Sequence, residues 1–231
     1  MAQLAIRVVN LWKDYADDLT SVPALRGSNL EIGVGEIIAL YGKSGSGKST
    51  LFNLIAGLDH PTKGRIEVEG EDLALLGEKG RTNLRRFRLG FIFQFFNLLP
   101  TLTAFENVFL SMELVARPDA EAANMALKEV GLAGKEHRYP NELSGGEQQR
   151  VAIARAMVKK PSIILADEPT GNLDTATGDQ ILNLLTGRCR ESRTTLIMAT
   201  HAPNTCRYAD RVLRIVDGLV VEEPRAEALV R

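Results

Sequence analysis

The apolar run Ile37-Ile38-Ala39-Leu40 leads into Gly42-Lys43-Ser44-Gly45-Ser46-Gly47-Lys48-Ser49. Thr50-Leu51-Phe52-Asn53-Leu54-Ile55-Ala56 follows with helical apolar spacing and stops at Gly57. A buried strand, a glycine-rich turn and a helix in that order restrict the local fold severely. Backbone N–H groups of such a turn converge on an anion, and the helix N-terminus adds partial positive charge. Lys48 can then reach the outer phosphates of a nucleotide, while the Ser49 hydroxyl can join Mg²⁺. The competing reading is a glycine-rich turn that matches by accident. The strand before it and the helix after it argue for a phosphate cradle.

A second apolar run, Ile163-Ile164-Leu165-Ala166, ends at Asp167-Glu168, and a third, Thr194 to Thr200, ends at His201. Continuous apolar runs of this length read as central strands of a parallel sheet, at whose carboxyl ends ligands bind. A carboxylate at Asp167 can serve Mg²⁺, and Glu168 can orient or deprotonate an attacking water. Alone, the pair could be a solvated turn; beside the Lys48 loop it reads as part of one site. Between the two halves lies Leu143-Ser144-Gly145-Gly146-Glu147-Gln148-Gln149-Arg150. Ser144 is a good N-cap, and the apolar stripe that follows ends before Pro161. A glycine pair at a helix N-terminus is also an anion site, and one chain holding one nucleotide does not need two. That makes a sandwich of two chains plausible.

Elsewhere, residues 3–9 and 28–41 alternate like strands, with a turn at Gly33 to Glu36. Arg65 to Glu69 reads as a half-buried antiparallel strand and Leu89 to Gln94 as another. The stretch from about Thr103 to Val130 turns helical. Asp217-Gly218 between Val212–Val216 and Leu219–Val221 is a two-residue hairpin signal. These elements describe an α/β nucleotide-binding core with a small antiparallel element at its N-terminal side and a helical insertion.

The 231 residues suffice for one large domain, and a net charge of −1 argues against nucleic acid as the main partner. Cys189 and Cys206 have no metal-type spacing and read as small apolar fillers in a reduced compartment. The N-terminus lacks the pattern of a secretory signal, and no run approaches the roughly 18 apolar residues of a membrane span. If the protein works at a membrane, another polypeptide supplies the spans.

The phosphate loop, Gln94, Leu143 to Arg150, Asp167-Glu168, Gly171-Asn172-Leu173-Asp174 and His201 stand in the order and spacing of ABC-type ATPase domains, which the chain resembles over nearly its whole length. Phe93 to Val108 and Ala166 to Asp174 look like the MacB/LolD branch, the ATPase subunits of macrolide- and lipoprotein-exporting systems. The resemblance implies an α/β P-loop NTPase with a RecA-like core. It also implies an N-terminal antiparallel β subdomain and a helical subdomain inserted at about 96–158 of a single domain spanning 1–231.

It further implies an ATPase that uses ATP and Mg²⁺. Gly42, Lys43, Ser44, Gly45, Ser46, Gly47, Lys48, Ser49 and Thr50 would hold the phosphates, with Ser49, Gln94 and Asp167 serving the metal. Lys48, Gln94, Glu168 and His201 would carry the chemistry. Tyr15 would stack on adenine, although alone it reads as half-buried packing, as His201 alone reads as a core or surface histidine. Ser144, Gly145 and Gly146 would grip the γ-phosphate held by an opposite protomer, and Asp174 would cross the homodimer interface. Transmembrane permease subunits would be the other partners, at the cytoplasmic side of a bacterial inner membrane. A regulatory ATP switch on a membrane partner, as in cell-division complexes, is the alternative. Lys43 replaces the branch's usual proline, Tyr41 a commoner small residue, and Ala202 a usual acid. None of these removes a reacting group.

Six of the eight phenylalanines fall between Phe91 and Phe109. Phe91 and Phe93 alternate as a strand requires, but adjacent Phe95 and Phe96 cannot both be buried on one strand face. Phe95, Phe96, Leu98 and Leu99, beside Gln94, are therefore candidates for a groove that receives a permease helix, with internal packing as the other account. Arg81, Arg85, Arg86 and Arg88 read as a solvated helical face or, alternatively, as a contact for anionic headgroups.

Overall fold

The computed structural model describes residues 3–17 and 20–223. It opens with a long antiparallel hairpin, β1 (Leu4–Asp17) and β2 (Thr20–Gly33). Alternation in the sequence reveals only the outer parts of this hairpin. The pairing is interrupted at Val8/Leu11, Leu11/Trp12 and Lys13/Asp14, and each irregularity resets which face a side chain takes. A turn at Gly35 leads to β3 (Ile37–Tyr41) and then to α1 (Lys48–Ile55), which ends at Gly57 with φ 61°.

β4 (Lys63–Val68) pairs antiparallel with β1, and the short β5 (Glu71–Asp72) completes a four-stranded sheet ordered β2-β1-β4-β5. α2 (Gly77–Phe87) carries the arginine cluster, and it is not a solvated face. Arg81 is buried beside Gly57 and pairs with Glu78, while Arg85 donates to Gly57 O at 2.8 Å. Arg88 pairs with Glu69 and Glu71, and Arg86 lies over the Phe87 ring. Arg81, Arg85 and Arg88 brace α2 against the end of α1 and the antiparallel sheet through partners outside the helix, which a helical-face reading cannot see, while Arg86 stays exposed.

β6 (Leu89–Ile92) ends two residues earlier than the alternation suggests, because Phe96 N closes a turn on Phe93 O. The Phe91 and Phe93 rings stack at 6.0 Å, but Phe93 is exposed. The helical stretch is two helices, α3 (Ala104–Leu114) and α4 (Ala120–Glu129). Pro118 cannot continue a helix, and Asp119 caps the new one by accepting from Ala122 N at 2.9 Å.

α5 (Gly145–Met157) begins at the Ser144 cap and packs on α3 and α4. β7 (Ile163–Asp167), α6 (Thr175–Ser192), β8 (Thr195–Thr200), β9 (Arg211–Val216) and β10 (Leu219–Glu223) complete the chain. α6 has no counterpart in the sequence reading, since its glycines, threonines and serine are indifferent helix formers. The Asp174 cap and an apolar face holding Ile181, Leu182 and Leu185 form it. The second sheet has the order β10-β9-β3-β8-β7-β6 and is parallel apart from β10. The β9–β10 turn has positive φ at both Asp217 and Gly218, as a two-residue hairpin requires.

One core lies between this sheet and the α3, α5 and α6 helices; the other lies between the two sheets and encloses α1. Cys189 and Cys206 sit in the first, where burial pushes their thiols up to about 12 and about 11, the state of inert fillers. The carboxyl ends of β3, β7 and β8 point the same way, and the site forms there.

Candidate functional site

The Gly42–Ser49 loop joins β3 to α1. Its seat is too tight for side chains at two positions. A Cβ at Gly47, whose φ is 110°, would lie 2.6 Å from Ala24 O, and one at Gly42 would lie 2.7 Å from Ile215 O. Hence β2 and β9, remote in sequence, set the shape of the loop. Lys48 is buried, and its Nζ donates to Gly42 O at 2.8 Å and Lys43 O at 3.0 Å. Ser46 Oγ is enclosed within the loop with no partner among the described residues.

Asp167 ends β7 and faces the loop, where Ser49 Oγ donates to Asp167 Oδ2 at 3.3 Å. Burial raises the pKa of Asp167, against the Ser49 bond, and the neighbouring Glu168 charge raises it further. Glu168 itself stands at φ 46°, a left-handed backbone that costs a glutamate about 1–3 kcal/mol. Bonds on both sides hold it there: Glu168 N donates to Ala199 O at 2.9 Å, and Gly171 N donates to Glu168 O at 3.0 Å. His201 Nδ1 lies 2.7 Å from Glu168 Oε1. An ionised carboxylate only accepts, so the imidazole is the donor in this bond, through Nδ1–H.

Gln94 arrives from the end of β6. Asn172 Nδ2 donates to its carbonyl at 2.8 Å, and the Gln94 side chain closes over Gly171. Together these groups line an open cavity of about 660 Å³, with Lys43, Ser44, Gly45, Gly47, Lys48, Ser49 and Thr50 on one wall. Gln94, Asp167, Glu168 and His201 form the other wall, and Ala24 stands at the rim.

The remaining sequence candidates stand outside that cavity. Tyr15 is 43% exposed on β1, its hydroxyl donating to Asp59 Oδ2 at 3.0 Å and Lys13 lying over its ring. Ser144 caps α5: its hydroxyl accepts from Glu147 N, and its own N–H donates to the Glu147 carboxylate at 2.8 Å. Lys135 pairs with that same Glu147. Gly146 packs against Thr177, where a Cβ would lie 2.6 Å from the threonine methyl. Asp174 caps α6 by accepting from Thr177 N at 3.0 Å, and the Thr177 hydroxyl, with that backbone N–H, holds its carboxyl below the usual range. Ser144 is exposed, Gly145 and Gly146 are half-buried, and neither they nor Asp174 line the phosphate loop's cavity.

Past Gln94 the chain turns through two consecutive left-handed residues, Phe96 at φ 61° and Asn97 at φ 48°. Phe95 is 72% exposed and Leu99 45%, whereas Phe96 and Leu98 are half-buried. Arg155 of α5 fixes the turn by donating to Phe96 O at 2.8 Å and also to Asn97 O. Sequence reasoning gave no role to Arg155, Asn172 or Ala24. A lone cation inside the apolar stripe of α5 was a usable signal for the first, and Asn172 stood inside the Gly171–Asp174 string; nothing local marks Ala24.

The ABC transporter family profile matches residues 25–171. The lipoprotein-releasing system ATP-binding protein LolD of Geobacter metallireducens is 47% identical over 221 residues, covering 94% of this chain and 98% of that protein. The macrolide export ATP-binding/permease protein MacB of Rhodopirellula baltica is 45% identical over 228 residues, or 96% of this chain and 33% of that longer protein. In solved structures, the dimeric post-hydrolysis state of the ATP-binding cassette MJ0796 with ADP and Pi superposes with a TM-score of 0.87 at 40% identity, covering 95% of this chain and 98% of that one. The strand-end acids, the phosphate loop and these likenesses agree, and the chain belongs to the ABC transporter family as an ATP-hydrolysing, ATP-binding subunit of the LolD/MacB type.

Proposed function

We propose that two copies of this chain close head to tail over two ATP molecules and drive a separate transmembrane permease, in export or mechanical work of the kind named for LolD and MacB. The observation that carries this reading is the split between an open phosphate-loop cavity and a helix cap, Ser144-Gly145-Gly146, that lies outside it with Ser144 exposed. A second chain can bring its own cap to the γ-phosphate over that cavity, with Asp174 crossing alongside. The dimeric cassette MJ0796 supports the arrangement.

In each site the loop amides and Lys48 hold the phosphates, Ser44 and Thr50 flank them, and Tyr15 takes the adenine. Asp167, Ser49 and the Gln94 amide oxygen are hard oxygen donors, and Asp167 is half-buried where a cation would offset its charge, so the set suits Mg²⁺. That ion, when bound, neutralises charge on the transferring phosphoryl group. Glu168 accepts hydrogen bonding from the attacking water and takes its proton, while His201, oriented by the 2.7 Å bond, donates from Nε2–H to the γ-phosphate when its ring carries both protons. The new γ-phosphate contacts exist only in the closed pair, so closure follows from their differential affinity, and hydrolysis reopens the dimer.

Phe95, Phe96, Leu98 and Leu99 beside Gln94 form the permease-facing surface. No helix among the described residues is long and apolar enough to cross a membrane, so association with the cytoplasmic face of a bacterial inner membrane would run through that permease.

Glu168→Gln tests the reading. Nucleotide binding should persist while turnover falls about 10²–10⁴-fold, the weight of a general base. The variant should run as a dimer with ATP in size-exclusion chromatography; hydrolysis near the wild-type rate, or a monomer under ATP, overturns the proposal.

A further inference from the structure

α5 carries a second polar residue turned inward. Gln149 is completely buried, with 0% of its surface exposed. Its Nε2 donates to Pro169 O at 2.7 Å, and its Oε1 has no partner among the described residues. An amide whose oxygen goes unpartnered inside a core is unfavourable there; a leucine would remove that oxygen but strand the buried Pro169 carbonyl. The bond to Pro169 is therefore what keeps a polar side chain at this position.

Pro169 follows Glu168 directly. A proline ring restricts the residue before it, and here that residue is held at φ 46°. The peptide chain on the far side of Glu168 is pinned by the Ala199 bond, and the near turn by Gly171. Pro169 has no N–H to anchor itself, and its carbonyl is the handle that Gln149 takes. The same helix starts five residues earlier at the Ser144 cap.

We infer that Gln149 is a positioning residue: it sets the backbone that aims the Glu168 carboxylate and ties that aim to the position of the Ser144 cap. This rests on the role proposed for Glu168. The geometry makes the link direct, because a shift of the N-terminal half of α5 pulls on the peptide next to the carboxylate through one short hydrogen bond. Gln149 does not line the nucleotide cavity, so it acts on the chemical step and not on ATP capture.

Gln149→Leu and Gln149→Met in the full chain are the test, with steady-state ATP hydrolysis as the readout. Both variants should lower kcat about tenfold, the factor that about 1.4 kcal/mol produces, with the half-saturating ATP concentration unchanged within about twofold. Because the effect passes through Glu168, adding Gln149→Leu to Glu168→Gln should cost nothing further in residual turnover. Wild-type kcat in both variants overturns the inference. So does a tenfold loss that recurs in full in the Glu168→Gln background, or a rise in half-saturation that accounts for the loss. If Gln149→Leu does not fold, the methionine variant decides. A Glu168→Gln enzyme that still hydrolyses at the normal rate refutes the role of Glu168 instead, so the two failures are distinguishable.

Discussion

Replacing Arg155 with methionine should loosen the Phe96–Asn97 turn without touching its exposed surface. Methionine keeps most of the aliphatic stem, so packing along α5 changes little. What is lost is the fork on Phe96 O and Asn97 O. A hydrogen bond from a charged donor contributes about 1.5–3 kcal/mol. Two reductions apply. Asn97 is exposed, so its freed carbonyl finds water, and burial disfavours the guanidinium charge, as its lowered pKa indicates. The net contribution is then about 2 kcal/mol, close to the cost of keeping Phe96 and Asn97 left-handed. Without the fork the turn has little reason to persist. Native-state amide exchange reads this locally: the Phe96 and Asn97 amides should exchange about 30-fold faster than in wild type, the factor matching about 2 kcal/mol. Amides of β7 and β8 should be unaffected. Arg155→Lys, a single point donor, should fall between the two. Exchange at Phe96 and Asn97 within threefold of wild type would refute the clamp.

Two further outcomes follow from the site. Burial raises the Asp167 pKa in the folded chain, so protonation favours folding: the stabilising contribution is complete in acid, below the unfolded value, and is lost as pH rises through the folded one. Nucleotide-free Asp167→Asn should therefore melt above wild type at pH 7, with the gap closing toward pH 4, while hydrolysis is lost; equal melting temperatures at both pH values would contradict the burial argument. Tyr15→Ala should weaken ATP binding by about 1–3 kcal/mol, the range for stacking on a base, and Asp59→Ala should reproduce part of that loss by freeing the Tyr15 hydroxyl. Unchanged affinity in a fluorescent-nucleotide titration would remove Tyr15 from the adenine site.

Much of this protein was legible along the chain, because its decisive signals are local. The β3–loop–α1 unit, the Ser144 cap, the acids at the end of β7 and the Asp217-Gly218 turn each depend on residues within a few positions of one another. Spacing therefore determined the phosphate cradle, the parallel core and the class of reaction. The sequence could not follow the β1–β2 hairpin through its bulges, since every bulge shifts the alternation that marks a strand. Nor could it tell that Arg81 is buried, because Gly57, against which it packs, and the Leu73 carbonyl that accepts it lie outside α2. Only the tertiary structure brought Ser49 to Asp167, His201 to Glu168, Asn172 to Gln94 and Ala24 to the mouth of the cavity. Those pairs are separated by tens to more than a hundred residues, apart from the adjoining strand ends, and their contact depends on sheet order and not on periodicity. Local chemistry chose the parts; the order β3-β8-β7 placed their reactive ends on one edge.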